Sequence, residues 1–240
     1  MREAVMEKFN LVLEYMPRIL SGAWLTLIVA LLSFASSFAL GLLGANMRLS
    51  KNKIISGVAT AYSTIVRGIP DLVWMFLVFY GLQEIVHNFA EKYNYEEIQI
   101  SPFIAGIVTL SFIFGAYFTE TFRGALLAIP SGQMEAGYAY GMSGWQVLKR
   151  ITFPLLMRYA LPGVKNNWLV LTKATALVSI IGLEDVTRIA QQGGSASSQS
   201  FLFNFVSAML FLLLTTISLS FFRKLDRKYA RGVREVRYES

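Results

Sequence analysis

The residues best placed to do chemistry are the charges that interrupt or flank long apolar runs: Arg67, Asp71, Glu120, Arg123, Lys173, Glu184 and Asp185. An ionisable side chain left facing lipid costs several kcal/mol, so each needs a partner, water or a ligand. Arg67 and Glu120 are expected to pair across two spans, either as a structural lock or as contacts for a charged solute, with Arg123 nearer an interface. Asp71 follows Pro70, where a kinked helix frees backbone groups that a carboxylate satisfies. Lys173 is open to three readings: it snorkels, faces a partner subunit or offsets a buried acid. Glu184 and Asp185 follow Gly182, where a span ends or breaks. They are either solvated loop acids, with Asp185 the N-cap of a helix over 186–190, or carboxylates lining a cavity that attracts an ammonium or guanidinium group. Thr175 and Ser179, four residues apart, would line the same face.

The rest of the inventory excludes more than it offers. There is no cysteine, and His87 is the single histidine, so a disulfide framework, a thiolate metal site, a cysteine nucleophile and an all-protein zinc site are all ruled out as expectations. No catalytic residue is assigned. The net charge of +7 suggests nucleic acid, but 55% of residues are hydrophobic and only 15% charged. A stretch such as 24–43 could not stay in water, and the basic residues read better as membrane-topology signals.

These charges must be positioned by helices that cross a bilayer, each of roughly 20 residues. The sequence predicts an all-α membrane protein with about five transmembrane helices, over 20–45, within 57–85, and over 102–128, 161–182 and 201–222. The second is interrupted by Arg67, Pro70 and Asp71. The first is too long and too far along the chain for a cleaved signal. Arg48, Lys51 and Lys53 follow the first span, Lys149, Arg150, Arg158 and Lys165 lie before and at the start of the fourth, and a basic tail over 223–240 follows the fifth. Crossing five times puts all three segments on one side, expected to be cytoplasmic. The N-terminus, with an external segment over 1–19, and the loop bearing Glu91, Glu96 and Glu97 fall outside. One domain covers 1–240, with no internal repeat. Gly41, Gly44 and Ala45, and Ala105 with Gly106, allow close helix contact. Phe201, Phe203, Phe205, Phe211, Phe221 and Phe222 are read as lipid-facing bulk, and 191–200 as a flexible polar loop.

The stretch over 129–158 lies on the predicted cytoplasmic side and is too long for a turn. Ser131 is expected to cap a helix behind Pro130, with Glu135 favouring its dipole. Gly141 and Gly144 break that helix. Ser143 and Gln146 have the spacing of a capping box that starts a second one. Trp145, Leu148 and Ile151 supply an apolar face, Lys149 and Arg150 a wet one, and Pro154 limits the extension. Such a broken pair either docks in a partner's groove or lies on the bilayer surface.

The segment resembles the EAA loop of bacterial ATP-binding-cassette import permeases, with Glu135-Ala136-Gly137, Gly141 and Ile151-Thr152-Phe153-Pro154 in register. It departs at Gly137, for alanine, and Phe153, for leucine. The stretch 62–82, with Arg67-Gly68-Ile69-Pro70, is similar to polar amino-acid permeases, as is 117–124 with Tyr117, Glu120 and Arg123. The stretch 173–186, KATALVSIIGLEDV, most resembles permeases for histidine, lysine, arginine, ornithine and related opines.

The resemblance implies the type I importer permease fold, and a loop (Glu135, Ala136, Gly137, Gly141, Ser143, Trp145, Ile151, Pro154) that couples to a separate ATPase. It also implies two ATPase subunits using ATP and Mg, a second permease expected to be a paralogue, and an external amino-acid-binding protein. No phosphate-binding GxxxxGK[ST] loop occurs in the chain, so no cofactor is expected here. A self-contained transporter or channel is the alternative, disfavoured by the lack of an inverted repeat. Arg67, Tyr117, Glu120, Thr175, Ser179, Glu184 and Asp185 are the expected pathway residues.

Overall fold

The computed structural model describes residues 2–96 and 99–229, with side chains from Asn10 onward. Glu97, the tail beyond Tyr229 and the side chains of the first nine residues lie outside the described residues. Every regular element is helical among those described.

Helix α1 (Arg2–Arg48) runs unbroken through Pro17. The expected separate segment over 1–19 is therefore part of the first helix. Proline removes one backbone hydrogen bond there. Burial holds the helix together nonetheless: Val12 and Ile19 pack against Val186, Ile189 and Phe203.

The second expected span is two helices. α2 (Lys53–Gly68) starts where the Asn52 side chain accepts from the N–H groups of Ile54 and Ile55. It stops because Pro70 forces Ile69 into an extended conformation, at φ −110° and ψ 138°. α3 (Asp71–Lys92) then restarts. α4 (Pro102–Leu127), capped by Ser101, is the central helix and is buried along most of its length.

α1 and α4 approach backbone to backbone. A Cβ on Gly41 would overlap Phe118, and one on Gly44 would overlap Thr119. Phe34 meets Phe118 and Phe38 meets Phe122 edge to face, with centroids 5.5 and 4.8 Å apart. Contacts that advance together along both chains make the helices parallel.

The loop holds α5 (Ser131–Ala139) and α6 (Gly144–Val147), then a π-helical turn (Leu148–Thr152) that leads straight into α7 (Phe153–Ala174). A 3₁₀ stretch (Thr175–Ile181), α8 (Val186–Ala196) and α9 (Ser200–Tyr229) complete the chain.

Among the described residues, four helices are long and apolar enough to span a membrane: α1 over Asn10–Arg48, α3, α4 and α9. The fourth expected span, 161–182, corresponds to most of α7 and the 3₁₀ stretch, and is not among them. Lys165, Asn167 and Lys173 lower its hydropathy, but Leu161, Val164, Trp168 and Leu171 are buried against the other helices. A helix wrapped by protein need not be apolar all round.

Two further expectations change. Residues 191–196 are helical, not loop. Gly193 sits against the Phe203 ring and Gly194 against Ser200, contacts that side chains would obstruct. Phe203 and Phe222 are core residues, at 0% and 5% exposure, and Phe211 is half-buried, whereas Phe201, Phe205 and Phe221 are exposed. On α9 the six do not share a face.

Candidate functional site

The 129–158 loop is ordered by its own backbone. α5 ends in a Schellman motif: Gly141 N–H donates to Tyr138 O at 2.9 Å and Met142 N–H to Gly137 O at 3.1 Å. Gly141 has φ +77°, the left-handed region that glycine enters without penalty. Ser143 and Gln146 then form the expected capping box, with the Ser143 N–H donating to Gln146 Oε1 at 2.8 Å and the Gln146 N–H to Ser143 Oγ at 3.4 Å. Gly144 opens α6 rather than closing α5. Pro130, not Ser131, holds the N-cap position of α5, and no side chain caps it.

Pro154 does not end the second helix. Its ring would strike the carbonyl four residues back in a regular helix. The preceding turn is widened instead, with the Phe153 N–H donating to Leu148 O, and Pro154 falls in the first turn of α7.

The apolar residues of the loop divide between two faces. Gly137 seats α5 on the second helix: a Cβ there would lie 2.6 Å from Ile151 Cδ1 and 3.1 Å from Val147 Cγ2. Trp145 and Leu148 point outward at 69% and 45% exposure, beside Tyr138 and Tyr140 at 56% and 87%. Two three-residue steps leave Ile151 about 120° around an ideal helix from Trp145, enough for Ile151 to meet α5 while Trp145 faces outward. Glu135 and Ala136 are exposed. The two tyrosines were missed in the sequence; an aromatic pair two residues apart on a polar helix was the available signal.

Glu120 is not paired with Arg67. One oxygen lies 3.2 Å from Arg48 and accepts from Ser63 Oγ at 2.9 Å; the other accepts from Arg123 Nε at 3.0 Å. The α1 end, α2 and α4 are locked together through this carboxylate. The Arg67 guanidinium instead stands over the Tyr117 ring, 5.4 Å from its centroid. Lys165 lies 3.5 Å from Asp226, tying α7 to α9. Lys173 is exposed on the isolated chain.

Glu184 and Asp185 part company. Glu184 is exposed. Asp185 is fully buried and caps α8, accepting from the Arg188 N–H at 2.9 Å. Burial pushes its carboxyl up from the usual 3.8 to about 6, against the lowering effect of the hydrogen bond from the Arg188 N–H. Thr175 and Ser179 are buried and donate to the carbonyls of Thr172 and Ala176, so neither offers a hydroxyl to a pathway in this structure. A 3₁₀ helix repeats every three residues, so a four-residue spacing does not stack the pair. No cluster of metal-ligating side chains occurs among the described residues.

A parallel α1–α4 core, an α2–α3 break at Pro70 and an ordered loop with exposed aromatics make up a helical membrane bundle. Residues 37–231 match the family described as binding-protein-dependent transport system inner membrane component, and the chain belongs to it. It is therefore a multi-pass protein of the inner membrane. More particularly, it groups with the permease subunits of ATP-binding-cassette amino-acid importers. It is 47% identical over 216 residues to the histidine/lysine/arginine/ornithine transport system permease HisQ of Salmonella typhimurium, covering 90% of this chain and 95% of that one. It is 38% identical to the octopine transport system permease OccQ of Agrobacterium tumefaciens, covering 87% and 89%. The crystal structure of an amino acid ABC transporter with histidines superposes with a TM-score of 0.75 at 28% identity, covering 90% of this chain and 96% of that one.

Proposed function

We propose that this chain forms half of the translocation pathway of an ATP-driven importer of cationic amino acids, with residues 129–158 seated in a cleft of a partner ATPase. The observation that carries the proposal is the outward face of the loop. Tyr138, Tyr140, Trp145 and Leu148 are exposed beside Lys149 and Arg150, on a scaffold held rigid by the Schellman motif and capping box. Rigid aromatic anchors within a polar surround suit a protein partner.

Orientation follows from charge. Arg48 and Arg123 converge at Glu120, and Lys165 meets Asp226 near the end of α9, so the basic segments gather at the loop end of the bundle. That end is cytoplasmic by the positive-inside rule, and the N-terminus is external. α8 and Glu184 then belong to the outer end, where a binding protein delivers its ligand. Glu184 is the acid placed to meet an ammonium or guanidinium group there, while Asp185 holds α8 in place.

The second permease is a paralogue, and two ATPase subunits bind ATP and Mg; this chain binds no cofactor. ATP binding closes the ATPase pair, the loop transmits that motion to the bundle, and hydrolysis resets the inward-open state. The similarity to an octopine permease supports opines as an alternative substrate class.

The test is reconstitution of the permease pair with its ATPase and binding protein in liposomes. ATP-dependent uptake of labelled arginine, lysine or histidine in preference to neutral amino acids is expected. Uptake without ATP, or by this chain alone, would contradict the proposal.

A further inference from the structure

An apolar cleft separates α1 from α9. It holds about 260 Å³ and is walled by Leu20, Trp24 and Leu27 of α1 and by Leu210, Leu213 and Ile217 of α9. The hydroxyl in its wall, on Thr26, is already spent: it donates to Gly22 O at 2.9 Å and accepts from the Val186 N–H at 3.3 Å. A polar ligand would lose its hydrogen bonds to water in such a space, whereas a hydrocarbon chain loses none.

Toward the loop end the same face of α9 changes character. Leu210, Leu213, Ile217, Phe221, Lys224 and Lys228 advance by three or four residues and so form one stripe. From Leu213 onward every member of it is exposed. Helices that pack closely in a membrane meet through small residues, so a stripe this bulky faces lipid. It ends in positive charge: four basic residues and one acid lie over 223–228. The acid, Asp226, is held by Lys165 at 3.5 Å, and neither Lys224 nor Lys228 has an ion-pair partner within 4.0 Å among the described residues. Lys228 Nζ lies 5.8 Å from the Tyr229 ring centroid, a contact that does not neutralise it.

The spacing joins the two features. Lys224 is seven residues past Ile217 and fourteen past Leu210, about 10 and 21 Å along the helix. Half of a hydrocarbon core roughly 30 Å thick corresponds to a chain of about 15 Å. A chain that starts at the lysines thus passes Phe221 and Ile217 and ends inside the cleft.

We infer that the stripe and cleft together bind one anionic phospholipid, its phosphate at Lys224 and Lys228 and one acyl chain between α1 and α9. The lysines select an anionic headgroup over a zwitterionic one. The cleft selects a lipid over free phosphate. The importer reading contributes only the leaflet, the cytoplasmic one, through the orientation of the loop end.

The test uses the complex of this chain with its permease and ATPase partners in phosphatidylcholine vesicles. A minor share of the lipid is replaced by chain-brominated phosphatidylglycerol or chain-brominated phosphatidylcholine. Bromine quenches nearby indoles, and the difference from a Trp24→Phe complex isolates the tryptophan in the cleft wall. Quenching of Trp24 should reveal a preference for phosphatidylglycerol of about 30-fold, the equivalent of ~2 kcal/mol for two lysines at a membrane surface. Lys224→Gln with Lys228→Gln should bring the two lipids within about 2-fold, and Lys224→Arg with Lys228→Arg should keep the preference. Glycerol phosphate, the headgroup without chains, should not relieve the quenching. Gel filtration confirms assembly; if the double glutamine variant does not assemble, each single one should keep about a 5-fold preference.

Equal quenching by the two lipids in the wild-type complex would overturn the site, as would a preference that survives loss of both lysines. Relief by glycerol phosphate would reduce the feature to a phosphate-binding patch. Absence of quenching by either lipid would mean that protein, such as the second permease, covers the cleft. Either result would contradict the inference.

Discussion

Arg48, the last residue of α1, lies 3.2 Å from the carboxylate of Glu120 on α4. The pair joins two parallel helices at the loop end, with Ser63 of α2 and Arg123 completing the carboxylate's shell. At 16% and 18% side-chain exposure the pair is largely shielded from water, so removing one member leaves a costly charge behind.

A double-mutant cycle measures this. Arg48→Gln and Glu120→Gln should couple by about 1–3 kcal/mol in the denaturant stability of the purified complex, the range for residues sharing one network. Arg67→Gln and Glu120→Gln should be additive within about 0.5 kcal/mol. Coupling of Glu120 to Arg67 instead would restore the pairing suggested by sequence and contradict the observed geometry.

The two loop glycines should fail for different reasons. At Gly141 a Cβ would meet nothing within 4 Å, so the cost is the left-handed backbone, about 1–2 kcal/mol for an ordinary residue. Gly141→Val should therefore reduce ATPase recovery on copurification, and Gly141→Asn should reduce it much less. At Gly137 the obstacle is the tip of Ile151, which can turn aside. Gly137→Ala should retain ATPase, and Gly137→Leu should lose it. Equal behaviour of Asn and Val at 141 would remove the conformational explanation.

Asp185 supplies a pH test with a definite sign. Its folded value of about 6 lies above the usual 3.8, so the folded state holds the proton more tightly. The resulting stability is complete below about pH 4 and is lost as pH rises through about 6, with the charged form buried at a cost of at most ~3 kcal/mol. Asparagine also accepts a cap hydrogen bond. Asp185→Asn should thus raise the melting temperature of the complex at pH 8 and have little effect near pH 4. Destabilisation at pH 8 would mean that the ionised acid is held by something favourable.

The exposed neighbour should behave otherwise. Glu184→Gln should weaken the apparent affinity for arginine about 10- to 100-fold, the value of one charge-assisted hydrogen bond. Asp185→Asn should leave the ratio of arginine to neutral amino-acid uptake unchanged. If Glu184→Gln weakens all substrates equally, that residue serves binding-protein docking.

What could be read from sequence was whatever depends on local spacing. The capping box at Ser143, the break at Pro70 and the close approach at Gly41 each follow from a few adjacent residues, and the structure has all three. The partner of Glu120 was not legible, because Arg48 reaches it only through the relative rotation of α1 and α4. Pro154 misled because a π-helical turn lets a helix pass through a proline that a regular one would not. Phe203 and Phe211 misled because composition cannot tell which side of α9 meets α1 and α8. The glycines and glutamines over 191–196 resemble a linker, yet here the missing side chains let α8 lie against Phe203 and Ser200.

The claim that residues 129–158 carry the ATPase contact can be tested by chemistry, because the chain contains no cysteine of its own. Tyr140→Cys places a single thiol on the most exposed aromatic of the loop, at 87% exposure in the native residue. A bifunctional thiol–amine reagent applied to the assembled complex should join this chain to the ATPase subunit, and ATP should change the yield. A matched Glu184→Cys should give no ATPase adduct and should instead capture the binding protein. Adducts from Tyr140→Cys to the binding protein, or none to a copurifying ATPase, would contradict the account.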